Sequence, residues 1–218
     1  MEKRATEEGR LKAKIVLCGD GGVGKTTLVH AFVHGRPPRN TKLTVGVQHF
    51  VKEVEVDSRR IKLVIWDLGG EQRFRLLAPI FLRGAKGAIF VFDITDPGTF
   101  ERLDDWLKTV LEHVGDVPRV LVGNKVDLEQ MRLVDRGLAE DYARRRGFIG
   151  YVETSAKQGL RVEQPFFMLA RHIIGRCAEA SEGRDRGLAR ALLGAPQGRP
   201  LAAQGCRPGD PRGDQACR

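Results

Sequence analysis

GDGGVGKT, residues 19–26, follows the apolar run AKIVLC (13–18) and opens into KTTLVHAFVHG, a helix-like stretch closed by Gly35. It matches G-x-x-x-x-G-K-[ST] in the context that gives this pattern meaning, a strand before and a helix after. The composition has a chemical reason. Gly21, Gly22 and Gly24 let the backbone wrap closely around phosphate oxygens and turn its N–H groups towards them. The positive end of the following helix adds to the preference for anions. Lys25 brings a point charge for β- and γ-phosphates, and the Thr26 hydroxyl can ligate Mg²⁺. The expected phosphate set is Gly19, Asp20, Gly21, Gly22, Val23 and Gly24 with Lys25, Thr26 and Thr27. A turn merely rich in glycine would not carry Lys and Thr in this register. The motif indicates a nucleoside triphosphate and leaves the base open.

Outward from this turn, strand-like and helix-like segments alternate from about residue 11 to 178. VQHFVKEVEVDS (47–58) and RRIKLVIWDL (59–68) read as two strands joined by a tight turn around Asp57 to Arg60. GAIFVFDIT (87–95) and PRVLVGNK (118–125) are apolar runs suited to central parallel strands, buried on both faces. Between them DPGTFERLDDWLKTVLEHVG (96–115) has helical spacing at Phe100, Leu103, Leu107, Val110 and Leu111. A helix from about Val134 to Arg146, a strand FIGYVET (148–154) and a helix from about Glu163 to Ala180 complete the series. Such alternation predicts an α/β fold, a mostly parallel sheet with helices on both faces. From Ser181 onward the chain turns rich in Gly, Pro, Arg and Ala, with little to bury, and RGLARALL (186–193) could form a short helix. The expected organisation is a flexible N-terminus over 1–10, one domain over 11–180 and a flexible tail over 181–218.

With 41% hydrophobic and 30% charged residues, the chain can bury a full core. Its apolar runs are strand-sized and too short to span a bilayer, and MEKRATEEGRLKAK lacks the apolar stretch of a signal peptide. The expected location is cytoplasmic, with at most a peripheral contact at the inner membrane surface. Four cysteines, none in a C-x-x-C pair, do not make a disulfide framework, and Cys18 reads as a small buried thiol. The net charge of +9 is spread along the chain without an RNA-binding aromatic motif or a zinc pattern, so it predicts a solvated Arg-rich surface and no nucleic acid.

Two further strand ends carry chemistry. Asp67 closes one strand and is followed by Leu68, Gly69 and Gly70. An acid there can hold Mg²⁺, often through water, and the N–H of Gly70 can sense a γ-phosphate. VGNKVDL (122–128) places Asn124, Lys125 and Asp127 at the end of another strand, on the edge where open α/β sheets bind ligands. An ionised Asp127 can accept from N1–H and the 2-amino group of guanine, which adenine cannot match; such a mismatch can cost factors of about 10⁴. Lys125 can lay its stem on the purine, and Asn124 can tie this loop to residues 19–26. TSAK (154–157), with Ser155, Ala156 and Lys157, follows the last strand, where the Ala156 N–H could meet guanine O6.

With GDGGVGKT, TVGV (44–47), WDLGG…RF, NKVD and ETSAK in this order and spacing, residues 12 to about 178 resemble the small GTPases of the Ras superfamily, nearest its Rab-like branch. The resemblance implies the G-domain fold of P-loop NTPases: a six-stranded sheet whose one antiparallel strand begins near Val47. It implies bound GTP or GDP with Mg²⁺ held by Thr26, Thr44 and Asp67. Thr44 would be the mobile threonine that joins the metal only in the GTP state. Residues 36–48 and 68–80 would be the segments ordered by GTP for an effector, with a GTPase-activating protein and an exchange factor as further partners.

Three features depart from the family. Relatives usually carry Gln directly after the glycine of D-x-x-G, where it orients the attacking water; here Glu71 holds that place and Gln72 follows. Pro37 stands where many relatives put an aromatic against the base. The final QACR is not a prenylation box, so membrane contact is expected to be weak or indirect. The catalytic set is then Lys25, Thr44, Gly70, Glu71 and Gln72, and slow intrinsic hydrolysis is expected. One rival is a GTP-binding scaffold that does not cycle, which Glu71 favours. The other is a P-loop ATPase or nucleotide kinase, which Asp127 and TSAK oppose.

Overall fold

A computed structural model describes residues 11–39, 43–70 and 78–193. The strands are β1 (Leu11–Cys18), β2 (Val47–Val56), β3 (Arg59–Leu68), β4 (Gly87–Asp93), β5 (Arg119–Asn124) and β6 (Gly150–Thr154). They form one sheet in the order β2-β3-β1-β4-β5-β6, in which only the β2–β3 pairing is antiparallel. The six strands and the single reversed one at Val47 agree with the expectation. The β2–β3 hairpin turns on Asp57 and Ser58, both at positive φ (50° and 61°), the backbone a two-residue hairpin requires.

The helices are α1 (Lys25–His34), α2 (Ala78–Leu82), α3 (Pro97–Glu101), α4 (Leu103–Val114), α5 (Arg136–Arg145) and α6 (Gln164–Leu193), with a 3-10 helix over Val126–Met131. β4 and β5 are buried along their whole length, and alternate residues feed two cores. On one face Ile89, Val91 and Val122 join α1 and α6, where Phe32 and Phe166 stack at 4.0 Å. On the other, Phe90, Phe92 and Leu121 join Trp106 and Val110 of α4 and Ala139 of α5. Helices thus cover both faces. Cys18 is fully buried between these layers, and burial pushes its thiol up to about 12.

Three helices differ from the sequence reading. The single helix expected over 96–115 is two, because Arg102 leaves helical geometry (φ −76°, ψ 0°) between α3 and α4. The helix expected from Val134 begins at Arg136, since the Asp135 carboxylate accepts from Leu138 N–H and caps it there. The last helix continues to Leu193, through the expected end at Ala180. No helix among the described residues is long and apolar enough to cross a membrane.

Candidate functional site

The carboxyl ends of β1, β3, β4 and β5 meet at one edge, and the turn after β1 lies along it. Gly24 takes positive φ (97°), and a Cβ there would stand 2.3 Å from the Asn124 Nδ2. Gly19 is as tightly set, since a Cβ would meet the Val91 carbonyl oxygen at 2.1 Å. Only glycine fits either place. Lys25 is 5% exposed; its Nζ donates to the carbonyls of Gly19 and Asp20, each at 2.8 Å, which folds the turn around the ammonium.

Across the turn, the Thr26 hydroxyl donates to Asp67 Oδ2 at 2.5 Å and also contacts the Thr44 hydroxyl. Asp67 is fully buried, and its Oδ1 has no hydrogen-bond partner among the described residues. Burial raises its pKa, opposed by the Thr26 hydrogen bond and the Lys25 charge. Gly70 presses on the turn from the same side, where a Cβ would come within 2.2 Å of the Asp20–Gly21 peptide. Gly69 N–H donates to the Gly46 carbonyl at 2.8 Å, joining the stretch after β3 to the stretch before β2.

The NKVD loop is built around Asn124. Its Nδ2 donates to the Val23 carbonyl at 2.8 Å, and its Oδ1 accepts from Thr154 Oγ1 and Ala156 N–H, both at 3.0 Å. One amide therefore fastens three segments, as the expected tie to residues 19–26 requires, and here the Ala156 N–H is given to Asn124. Lys125 adopts positive φ (73°), and its Nζ pairs with Asp93 Oδ2 at 2.5 Å. Asp127 Oδ1 accepts from the Ser155 hydroxyl at 2.6 Å, which orients the carboxylate.

A cleft of about 530 Å³ runs between the two groups. Gly21, Gly22, Gly24, Lys25, Thr26 and Thr27 line one end with Thr44 and Gly70. Asn124, Lys125, Asp127, Ala156 and Lys157 line the other. Gly19, Asp20, Val23, Asp67 and Ser155 are buried behind its wall and act on it through backbone or neighbours. Pro37 also borders the cleft, with Pro38 and Leu43. Glu71 and Gln72 lie outside the described residues.

Several residues of the site escaped the sequence reading. Asp93, 6% exposed, ends β4 at the same edge as Asp67 and Asn124, so its position was a usable signal. Arg102 and Trp106 had no local signal: Arg102 reaches Asp20 through its Nε from the junction of α3 and α4, and Trp106 through its indole N–H at 3.3 Å from α4. The Asp20 side chain thus faces α4 rather than the cleft.

A strand, glycine turn and helix with a buried lysine, joined by one asparagine to an N-K-x-D loop, define a P-loop nucleotide-binding protein of the G-domain class. Comparison with known proteins agrees. The model of the Ras family matches residues 14–175. The chain is 41% identical over 162 residues to the Ras-related protein Rab-13 of Rattus norvegicus, covering 74% of this chain and 79% of that one. It is 35% identical to the Ras-related protein RABA2a of Arabidopsis thaliana (88% and 89% covered) and 36% identical to the GTP-binding protein yptV2 of Volvox carteri (94% of each). The chain belongs to the Ras family of small GTPases, on its Rab-like side.

Proposed function

We propose that this small GTPase is a Mg²⁺-dependent guanine-nucleotide switch that hydrolyses GTP slowly on its own. The observation that carries the reading is the continuity of the cleft: a phosphate-type cradle and a carboxylate suited to guanine border the same 530 Å³. A triphosphate would sit on the N–H groups of residues 21–24, with Lys25 beside its β- and γ-oxygens. Asp127, its orientation held by Ser155, would accept from the guanine edge, and Lys125, braced by Asp93, would lie along the ring.

The metal site has a physical basis of its own. Two hydroxyls and a buried carboxylate, one oxygen of it unpartnered among the described residues, make a hard-oxygen set that suits Mg²⁺. Thr26 and Thr44 would hold the ion, with Asp67 behind them; when bound it neutralises phosphate charge. Thr44 and Gly70 would then register the γ-phosphate, ordering the segments 36–48 and 68–80. Leu43 (60% exposed), Val45 (70%) and Ile80 (68%) put apolar side chains on those segments, which supports a GTP-dependent effector docking there. A GTPase-activating protein and an exchange factor would complete the cycle. Glu71, in the slot where relatives carry glutamine, is the reason to expect slow intrinsic hydrolysis, with Gln72 available only if the loop slips by one residue.

The metal reading is tested by GDP release. Chelation of divalent cations should speed release by roughly tenfold, about 1.4 kcal/mol of barrier, and Thr26→Ala should remove that sensitivity. Release indifferent to chelator in the parent protein would contradict the assignment of Thr26, Thr44 and Asp67.

A further inference from the structure

We propose that His30 and His34 form a two-imidazole site for a borderline transition-metal dication, with Zn²⁺ the reference ion, on the outer side of α1. Neither residue lines the nucleotide cleft. Positions i and i+4 of a helix share one face, the spacing by which paired histidines on a helix grip zinc. The two rings are neighbours, with centroids 4.4 Å apart, so one ion near both can take a nitrogen from each through bonds of about 2.0–2.1 Å. His34 is exposed, and Phe50 of β2 meets its ring edge-on at 6.4 Å, which restricts its rotation.

The decisive contact is at His30. Its Nδ1 lies 3.0 Å from the Arg36 carbonyl oxygen. A carbonyl only accepts, so Nδ1 carries the proton, and in the neutral ring the Nε2 lone pair is free. This is the outer partner that metal-bound histidines ordinarily have, an Nδ1–H donated to a carbonyl that fixes tautomer and orientation. Imidazole pairs select Zn²⁺, Cu²⁺ or Ni²⁺ over Mg²⁺ and Ca²⁺. Among the described residues no group of three or more His, Cys, Asp or Glu gathers, so water completes the coordination and binding is reversible. The site also has a consequence. A cation on Nε2 withdraws electron density from the ring and strengthens the hydrogen bond that Nδ1–H donates to the Arg36 carbonyl, which pins that carbonyl directly before Pro37 and Pro38 at the cleft.

The test is a Zn²⁺ titration of the full chain as purified, in Mg²⁺ buffer, with histidine ring ¹⁵N resonances observed. Cys177, Cys206 and Cys217 are replaced by Ser to remove competing thiols. The Nε2 resonances of His30 and His34 should move together as Zn²⁺ approaches one equivalent at this site, while those of His49, His113 and His172 stay. His34→Gln and His30→Gln should each weaken Zn²⁺ binding there by roughly tenfold or more. The proposal is overturned if excess Zn²⁺ leaves both rings unmoved in the parent chain, or if His30 is found with its proton on Nε2. It is overturned equally if either folded variant binds as tightly as the parent.

Discussion

Asn124 satisfies three groups from two other segments with one amide, so its position at a strand end ties the turn after β1 to the TSAK stretch. Its residue type and strand-end position were readable in NKVD, whereas the atoms it bonds, 30 to 101 positions away, were not. Ser155 was readable only as part of TSAK; its hold on Asp127 spans 28 positions and depends on two loops meeting. Glu71 is the residue where the sequence speaks against the family pattern. An ionised carboxylate beside a γ-phosphate is repelled, whereas an amide can accept from water and donate to a phosphate oxygen. Glu71→Gln should therefore raise the single-turnover GTPase rate by roughly tenfold, about 1.4 kcal/mol, with GTP affinity nearly unchanged. A slower variant with GTP still bound would instead make Glu71 a general base.

At the scale of elements, the alternation of apolar runs gave the sheet, because strands buried on both faces have a composition that helices between them do not share. The break at Arg102 was not legible. Apolar spacing continues from Phe100 through Leu103 to Leu107, and only the tertiary pull of Asp20 on Arg102 and Trp106 distinguishes that point. This contact is an element-level support for the turn after β1: Arg102, at the junction of α3 and α4, pairs its guanidinium with the Asp20 carboxylate. Arg102 is about half exposed, so the pair is worth on the order of 1 kcal/mol after screening. Arg102→Ala should accordingly weaken GDP binding by about fivefold, and adding Asp20→Asn should recover most of the loss. Losses that simply add in the double variant would show that the two side chains are not coupled, against this account of the pair.

For the molecule as a whole, the described part of α6 packs Phe166, Leu169, Ala170, Ile173 and Ile174 into the core, all before Ala180. Truncation after Ala180 should then leave GDP binding intact and shift the melting temperature by only a few degrees, on the order of 1 kcal/mol. A collapse of the melting temperature would place part of the core beyond that residue. If one cleft holds both phosphate and guanine, Asp127 is the residue that must select the base. Nucleotide titrations of the parent chain and of Asp127→Asn, with GTP, ATP and xanthosine triphosphate, decide it. The parent should prefer GTP over ATP by about 10⁴, and Asp127→Asn should lose GTP and gain the xanthosine nucleotide, whose 2-oxo group suits an amide donor. Equal binding of GTP and ATP by the parent, or unchanged GTP affinity in Asp127→Asn, would contradict it.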